Sequence, residues 1–173
     1  MDHTTKGIEE DSVADSIGSI DNAPTLELHH DGLTIDGYSR AAVQTYWRVA
    51  ELKIGFDLGA QPWDFMSLPR TFISHSHLDH IAAIPAYVAR RRMMKMERPT
   101  LYLPDYAMAT VDQMLKVFTR LDRGRMPCDL VPLRENQEIE LSRELVVTTH
   151  AMKHSIPASV SYTHLRAHET VLD

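Results

Sequence analysis

The sequence predicts an α/β (α+β) fold in which helices flank a mixed β-sheet. Three observations indicate this class. Short β-prone segments follow one another from residue 25 onward. Two later segments carry apolar residues at helical spacing, which predicts two helices packed on a core. Further β-prone segments near residues 71–74, 100–103 and 130–149 alternate with those helices, so strands and helices belong to one domain.

The composition is that of a globular domain. The 173 residues are 43% hydrophobic and 24% charged, which suffices for one domain with a sizeable core. No apolar run approaches the about 18 residues that a membrane helix requires, and the polar N-terminus does not match a signal peptide. We therefore expect no membrane association. The single Cys128 excludes an internal disulfide framework and fits a reducing cytoplasm.

The net charge of −6 belongs to the ends of the chain. Residues 1–23 are rich in acids, Ser and Thr without sustained periodicity, so we expect a disordered acidic tail. Residues 24–158 hold 16 acidic and 16 basic residues and are neutral. The overall acidity therefore does not exclude a polyanionic substrate.

The first β-prone region, residues 26–58, predicts a run of antiparallel strands. Asp31-Gly32 interrupts it with a composition typical of a tight turn. His29 and His30 precede this turn, and we interpret them as exposed polar residues rather than metal ligands. Two further β-prone runs, 41–49 and 52–58, are joined around residues 50 and 51.

The run 52–58 ends in Asp57-Leu58-Gly59. A carboxylate at the end of a buried strand needs hydrogen-bond donors or a charge. Asp57 is therefore either the partner of a metal-bound imidazole, whose free N–H is a suitable donor, or a turn residue before Gly59. The residues alone do not decide between these readings.

A cluster of histidines follows the next strand. The apolar run 71–74 predicts a buried strand, which ends in three histidines and one aspartate within six residues: His75, His77, Asp79 and His80. Imidazole nitrogens and carboxylate oxygens are the ligands that zinc takes in catalytic sites. The cluster therefore predicts a metal site. Because it lacks cysteine, we expect hydrolytic rather than redox chemistry.

The segment after the cluster predicts a helix, since apolar residues from Ile81 to Val88 recur at helical spacing and Pro85 lies near its start. Its end is a basic run: Arg90, Arg91, Arg92, Lys95 and Arg98. Such a run near a metal site would attract phosphates, which makes these residues candidates for RNA phosphate contacts. The alternative is a solvated helix end that complements the helix dipole.

The remaining predicted elements are a short helix or turn at 62–68, an amphipathic helix at 106–121, and strands at 100–103, 130–133, 138–141 and 145–149. Asp122-Arg123-Gly124 closes the amphipathic helix with a glycine stop signal. The last strand leads into His150 and His154. Because parallel strands present their ends at one sheet edge, either histidine qualifies as a later ligand. Their spacing does not decide between them.

The motif His75-Ser76-His77-Leu78-Asp79-His80 resembles the signature of the metallo-β-lactamase fold superfamily. The flanking segments 36–39, 52–59, 72–81 and 85–90 resemble the N-terminal half of the ribonuclease Z family of tRNA 3′-processing endonucleases, in its short form. The resemblance covers about residues 32–158. It implies that residues 24–158 form the N-terminal half of an αββα sandwich.

The resemblance also implies roles for the site residues. The family's later motif, His-x-Ile/Val-Pro, matches His154-Ser155-Ile156-Pro157 and selects His154 over His150. The implied ligands of two zinc ions are His75, His77 and His154 for one and Asp79 and His80 for the other. Asp79 would also orient or deprotonate the attacking water, and Asp57 would match the aspartate that supports the ligands.

The function implied by the resemblance is zinc-dependent removal of the 3′ trailer of precursor tRNA by a cytoplasmic enzyme that forms a homodimer. Two metal ions lower the pKa of water toward neutrality and hold the phosphoryl oxygens, and phosphodiester cleavage needs both effects. One alternative is a thioesterase or lactonase of the same superfamily. Another is a non-catalytic zinc-binding module, in which the loss of Asp79 would be expected.

The resemblance ends near residue 158. The family's Gly-Tyr falls where this chain has Val160-Ser161, and residues 159–173 resemble translated sequencing-adapter text without a counterpart in the fold. We therefore interpret 159–173 as non-native sequence. His164 and His168, which lie four residues apart, are accordingly not interpreted as metal ligands. The family's second half supplies a bridging aspartate and a last histidine ligand. We expect this chain to be inactive alone and to bind at most one zinc ion tightly.

Overall fold

A mixed seven-stranded sheet forms the centre of the fold. The computed structural model describes residues 25–152 and, as backbone, residues 158–165; the acidic tail predicted for 1–23 lies outside these ranges. The strands are β1 (Leu26–His30), β2 (Leu33–Arg40), β3 (Gln44–Val49), β4 (Ile54–Phe56), β5 (Arg70–Phe72), β6 (Thr100–Pro104) and β7 (Asp129–Leu133). They lie side by side in chain order, with β1 to β4 antiparallel and β4 to β7 parallel. The predicted mixed α/β architecture is confirmed.

The turn between β1 and β2 has the predicted chemistry. Asp31 and Gly32 both have left-handed backbones, with φ of 48° and 76°, and His30 pairs with Leu33. Two consecutive left-handed residues make the two-residue turn whose twist matches that of the strands. The neighbouring His29 is exposed and its Nε2 lies 2.8 Å from Oε1 of Glu27. This arrangement agrees with an exposed polar residue.

A smaller antiparallel sheet consists of β8 (Glu138–Glu140), β9 (Leu145–Met152) and β10 (Ala158–Leu165), in the order β10-β9-β8. Strand β10 pairs with β9 in register from Ala158 opposite Met152 to Leu165 opposite Leu145. The structure places residues 158–165, part of the segment that we interpret as non-native, as a strand beside β9; whether 159–173 is native stays a prediction. The segment is β-prone and alternates Val160 and Tyr162 with hydroxyl residues, so it can extend a neighbouring strand edge.

The helices are α1 (Leu78–Ile81), α2 (Ile84–Met93) and α3 (Met108–Leu121), with 3₁₀ turns at Trp63–Ser67 and Asp105–Ala107. The single helix predicted after the histidine cluster is divided between α1 and α2. The N–H of Ala83 donates to the carbonyl of Leu58 at 2.8 Å, and Pro85 has no N–H to offer in the first turn of α2. None of the helices in the part of the chain described above is long and apolar enough to cross a membrane.

Two cores lie on opposite faces of the large sheet. On one face, buried residues from the helices, such as Ile84, Val88 and Val111, pack with sheet residues such as Leu101. On the other face, Val147 of the small sheet packs in a cluster with five buried residues of the large sheet, Leu133 among them. The layers are therefore helices, sheet and sheet, and the chain presents the carboxyl ends of its parallel strands at one edge.

The sequence predicts Gly124 as the glycine that stops α3, but the structure places the left-handed residue one position earlier. Helix α3 ends at Leu121 with Asp122 as its C-cap, and the left-handed residue that follows is Arg123, with φ of 49°. A Cβ at Gly124 would lie 2.0 Å from Nη1 of Arg92. A side chain at position 124 would require the flexible end of Arg92 to move, and Gly124 itself does not take the left-handed backbone that ends the helix.

Candidate metal centre

The histidine cluster begins where β5 leaves the large sheet. The N–H of Ile73 still donates to the carbonyl of Tyr102 on β6, at 2.8 Å, but the N–H of Ser74 donates to Oδ1 of Asp57 at 2.8 Å. The strand predicted to run to residue 74 therefore ends at Phe72. A side chain from the end of β4 takes over the hydrogen bonding, and the chain turns toward α1.

Asp57 is a buried acceptor at the centre of this turn. Its carboxylate accepts hydrogen bonds from the N–H of Ser74, from Oγ of Ser74 at 2.9 Å and from Nδ1 of His80 at 2.8 Å. Its backbone is left-handed, with φ of 60°, which is strained for a residue other than glycine. The hydrogen bonds offset that strain. The structure thus places Asp57 against a histidine of the cluster, where the sequence left a simple turn residue as the alternative.

His75 and His77 form the first pair of nitrogen donors. Nε2 of His75 lies 3.0 Å from Nδ1 of His77, and the two rings meet edge to face. Nδ1 of His75 lies 2.9 Å from Oγ of Ser74. His75 is buried and His77 partly buried, so both rings are held in place.

Asp79 and His80 form the second pair. Oδ2 of Asp79 lies 3.5 Å from Nε2 of His80 and accepts the N–H of Ala42 at 3.0 Å. Burial raises the pKa of the Asp79 carboxyl, but the Ala42 N–H and the imidazoles nearby outweigh it, so the pKa lies below its ordinary value. Asp79 is therefore ionised at neutral pH.

The pKa of His80 is raised above its ordinary value. Burial alone lowers the pKa, but the hydrogen bond to Asp57 and the charges of Asp57 and Asp79 outweigh that effect. A metal ion bound through Nε2 would have to displace a proton that these carboxylates stabilise. Metal affinity at this nitrogen is therefore expected to rise with pH.

The four residues line an open cleft of about 590 Å³. Its other walls come from the end of β2, the turn that contains Ala41 and Ala42, and Thr45 at the start of β3. Leu78 on the lining is 75% exposed, so the cleft is reached from solvent over an apolar residue. The volume falls within the range of ligand-binding clefts.

The spacing of the donor atoms fits zinc. Among the residues that the structure describes, no three His, Cys, Asp or Glu side chains already enclose one metal-sized point. The donors form two pairs instead, with separations of 3.0 Å for His75 and His77 and 3.5 Å for Asp79 and His80. Two ligand atoms each about 2.1 Å from a tetrahedral zinc ion lie about 3.4 Å apart. Both pairs are close to that separation, so the donor set fits the ion that the sequence predicts.

The later ligand predicted from the sequence is not part of this geometry. His154 lies outside the described residues, so the choice of His154 over His150 rests on the resemblance. His150 is exposed on β9, where it pairs with Val160 in the ladder. Its position as a ladder residue gives no independent argument for metal binding.

The basic run is occupied by structural contacts. The guanidinium of Arg91 is buried and donates to backbone carbonyls of Met66, Leu68 and Glu97. Because its donors already serve these carbonyls, the geometry gives no support to the phosphate contact predicted for Arg91, which stays a prediction. The other arginines also have partners, which are Gln61 for Arg90, Asp122 and the Arg125 carbonyl for Arg92, and Asp129 for Arg98. Lys95 is exposed, and none of the five lines the cleft.

Three groups that hold the site in place were not identified from the sequence. They are the hydroxyl of Ser74, the backbone N–H of Ala42 and the hydroxyl of Tyr106, which lies 3.3 Å from both N and Oγ of Ser76. A serine among histidines looks like a spacer in the sequence. The signal that could have identified Ser74 is the need of a buried Asp57 for donors from a neighbouring strand end.

Comparison with known proteins identifies relatives. No family model matches the chain. A protein of Triticum aestivum described as nuclear ribonuclease Z is 34% identical over 135 residues, which cover 78% of this chain and 76% of the relative. Two proteins of Arabidopsis thaliana, chloroplastic tRNase Z TRZ2 and tRNase Z TRZ1, are 30% and 35% identical; the matches cover 89% and 73% of this chain. They cover 43% and 45% of those proteins, so this chain spans less than half their length.

Among solved structures, the metallo-beta-lactamase fold protein YhfI from Bacillus subtilis superposes with a TM-score of 0.54 at 14% identity. The superposition covers 73% of this chain and 52% of YhfI. The likeness shows that the layers described above belong to the metallo-β-lactamase fold. It agrees with the predicted fold class.

Proposed function

This chain belongs to the ribonuclease Z family, and we propose that its full-length protein is a metal-dependent endoribonuclease that removes the 3′ trailer of precursor tRNA. The observation that carries the proposal is the row of donor atoms along one cleft: Nε2 of His75, Nδ1 of His77, Oδ2 of Asp79 and Nε2 of His80. The names of the relatives, ribonuclease Z and tRNase Z, support the substrate class.

The donor set favours zinc, because three imidazoles and one carboxylate without a thiolate are typical of catalytic zinc sites. His75 and His77, with His154, would hold one ion, and Asp79 and His80 would hold the second. When bound, the two ions lower the pKa of water and neutralise charge on the phosphoryl oxygens.

Asp79 is the residue that we propose orients the attacking water. Its lowered pKa keeps it ionised, and an ionised carboxylate accepts the hydrogen of a water molecule. The hydrogen bond from Ala42 holds Oδ2 at the wall of the cleft. Asp57 holds the ring of His80 through Nδ1, so that Nε2 faces Asp79.

The cleft suits a polymer rather than an enclosed small molecule. It is open to solvent, and exposed Leu78 forms part of its lining. Residues 24–158 carry no net charge that would repel a polyanion.

The proposal also includes homodimer formation and a cytoplasmic location. The family resemblance supports the homodimer, and the single cysteine, Cys128, supports the cytoplasmic location.

The 173-residue chain is proposed to be inactive alone and to hold at most one zinc ion tightly. The described residues supply donors along one wall of the cleft, from the segment after β5 and from α1. The resemblance places a bridging aspartate and a last histidine ligand in a second half, and the matches with the two Arabidopsis proteins cover less than half of their length.

A cleavage assay tests the proposal. The full-length protein is incubated with zinc and a precursor tRNA labelled in its 3′ trailer, beside a panel of thioesters and lactones. We expect trailer release, its loss with a chelator and a decrease of about 10³-fold or more in Asp79→Asn, as expected when a group that positions the attacking water is lost. The matched control is Asp112→Asn on α3, where an exposed acid pairs with Lys116. Full activity of Asp79→Asn, or turnover of thioesters or lactones without RNA cleavage, would overturn the proposal.

A further inference from the structure

We propose that Ser74 is a positioning residue that fixes the imidazole tautomer of His75 and thereby aims Nε2 at the metal site. The inference rests on the proposed function only in treating His75 as a metal ligand. The hydrogen-bond argument itself concerns the protein without metal. No feature of the sequence motif distinguishes this serine from a spacer.

The hydroxyl of Ser74 lies within hydrogen-bond distance of Asp57, His75 and His80. Oγ is 2.9 Å and 3.0 Å from the two carboxylate oxygens of Asp57, 2.9 Å from Nδ1 of His75 and 3.3 Å from Nδ1 of His80. The backbone N–H of the same residue also donates to Asp57. Ser74 therefore connects a buried carboxylate with two imidazoles.

The donor count assigns the proton positions. An ionised carboxylate only accepts hydrogen bonds, so the single hydroxyl hydrogen of Ser74 is directed to Asp57. The oxygen of Ser74 can then only accept from Nδ1 of His75, which must carry the hydrogen. Nε2 of His75 is left with a lone pair, which is the form that binds a metal ion.

The same logic extends to the neighbouring histidines. Nε2 of His75 lies 3.0 Å from Nδ1 of His77, so in the metal-free protein His77 donates to it. Nδ1 of His80 donates to Asp57 at 2.8 Å, a shorter contact than its 3.3 Å distance to Ser74. The hydrogen bonds therefore run from His77 to His75, from His75 to Ser74 and from Ser74 to Asp57. Ser74 is the residue that connects His75 with the carboxylate.

The first measurement is the tautomer of His75 in the metal-free 173-residue chain, read from its ring ¹⁵N chemical shifts. We expect the hydrogen on Nδ1 in the wild type and in Ser74→Thr, which keeps a hydroxyl. We expect Ser74→Ala to lose this preference, because Nδ1 then loses the hydroxyl oxygen of Ser74 as an acceptor. Thr71→Val, which removes a buried hydroxyl from β5, is the matched control and is expected to leave the tautomer unchanged.

The second measurement is zinc affinity by competition with a chelating dye. Groups that orient a metal-binding histidine typically change affinity by about 10- to 100-fold, so we expect that loss in Ser74→Ala and less than about threefold in Ser74→Thr and Thr71→Val. An unchanged tautomer and affinity in Ser74→Ala would overturn the inference, as would equal losses in the alanine and threonine variants. If the chain binds no zinc at all, the proposed metal site fails, and the tautomer measurement still decides the role of Ser74.

Discussion

Nδ1 of His80 lies 2.8 Å from Oδ2 of Asp57, which joins the first turn of α1 to the end of β4. The contact crosses two separate segments of the chain, and both side chains are largely buried. The histidine cluster is therefore not a free loop. Its rings are held by a carboxylate that belongs to the sheet, so metal affinity should depend on Asp57 although Asp57 is not itself a predicted ligand.

Asp57→Asn is expected to lower zinc affinity by about 10- to 100-fold, because the amide no longer attracts the Nδ1 hydrogen of His80 with a full charge. Asparagine tolerates the left-handed backbone at this position, so the chain should still fold. Zinc titration against a chelating dye measures the change. The control is Asp36→Asn, which removes another buried carboxylate, paired with Arg48 at 2.7 Å. Equal affinities in the two variants would contradict the role of Asp57.

Gly59→Ala is expected to destabilise the chain by about 3 kcal/mol or more, because the added methyl group meets rigid backbone. A Cβ at Gly59 would lie 1.7 Å from the carbonyl oxygen of Asp79 and 2.7 Å from the backbone nitrogen of Thr45. Urea denaturation measures the change. Gly32→Asn is the control: nothing lies within 4 Å of its Cβ position, and asparagine tolerates the positive φ. A cost in Gly59→Ala no larger than in the control would show that the backbones can separate.

Local chemistry explains which parts of this fold the sequence could predict. The turn at Asp31 and Gly32 was predictable because two adjacent residues determine its backbone. The division between α1 and α2 was not, since it depends on the carbonyl of Leu58, which is distant in the sequence. The proximity of Gly124 to Arg92, a residue of another helix, was likewise not predictable from local sequence.

The same distinction applies to the site. His75, His77, Asp79 and His80 were identifiable because their side-chain chemistry and close spacing are rarely combined without a metal. Ser74 was not, because its importance arises from contacts with Asp57, which only the parallel pairing of β4 with β5 brings close. The metal-ligand roles themselves remain predictions.

Arg91→Ala is expected to destabilise the chain by about 2–4 kcal/mol, since it removes a buried side chain and the hydrogen bonds that it donates to the carbonyls of Met66, Leu68 and Glu97. The guanidinium donates to Leu68 and Glu97 at 3.2 Å and 3.0 Å and lies 5.6 Å from the ring centre of Tyr87. Lys95→Ala is the control, because Lys95 belongs to the same basic run but is exposed. It should change stability by less than about 0.5 kcal/mol. Thermal and urea denaturation compare them. Equal stabilities would mean that Arg91 is not a structural residue.

Cys128 is expected to react slowly with thiol reagents in the native chain. Burial is the main cause that raises the pKa of its thiol to about 12, and the charge of Asp129 adds to it. Because only the thiolate reacts, a thiol of pKa about 12 should be labelled at pH 8 about 10³-fold more slowly than an unfolded thiol of pKa about 9. Labelling with a chromogenic disulfide, with and without denaturant, measures the ratio. Comparable rates would show that the thiol is not protected.

The same thiol links stability to alkaline pH. The folded chain disfavours the thiolate, so the contribution of Cys128 to stability is fully present below its unfolded pKa of about 9 and is lost as the pH rises toward the folded value of about 12. Cys128→Ser has no group that ionises in this range at that position. The stability of the wild type should therefore fall more steeply than that of Cys128→Ser between about pH 9 and pH 11, in urea denaturation series. Parallel curves for the two proteins would contradict the raised pKa.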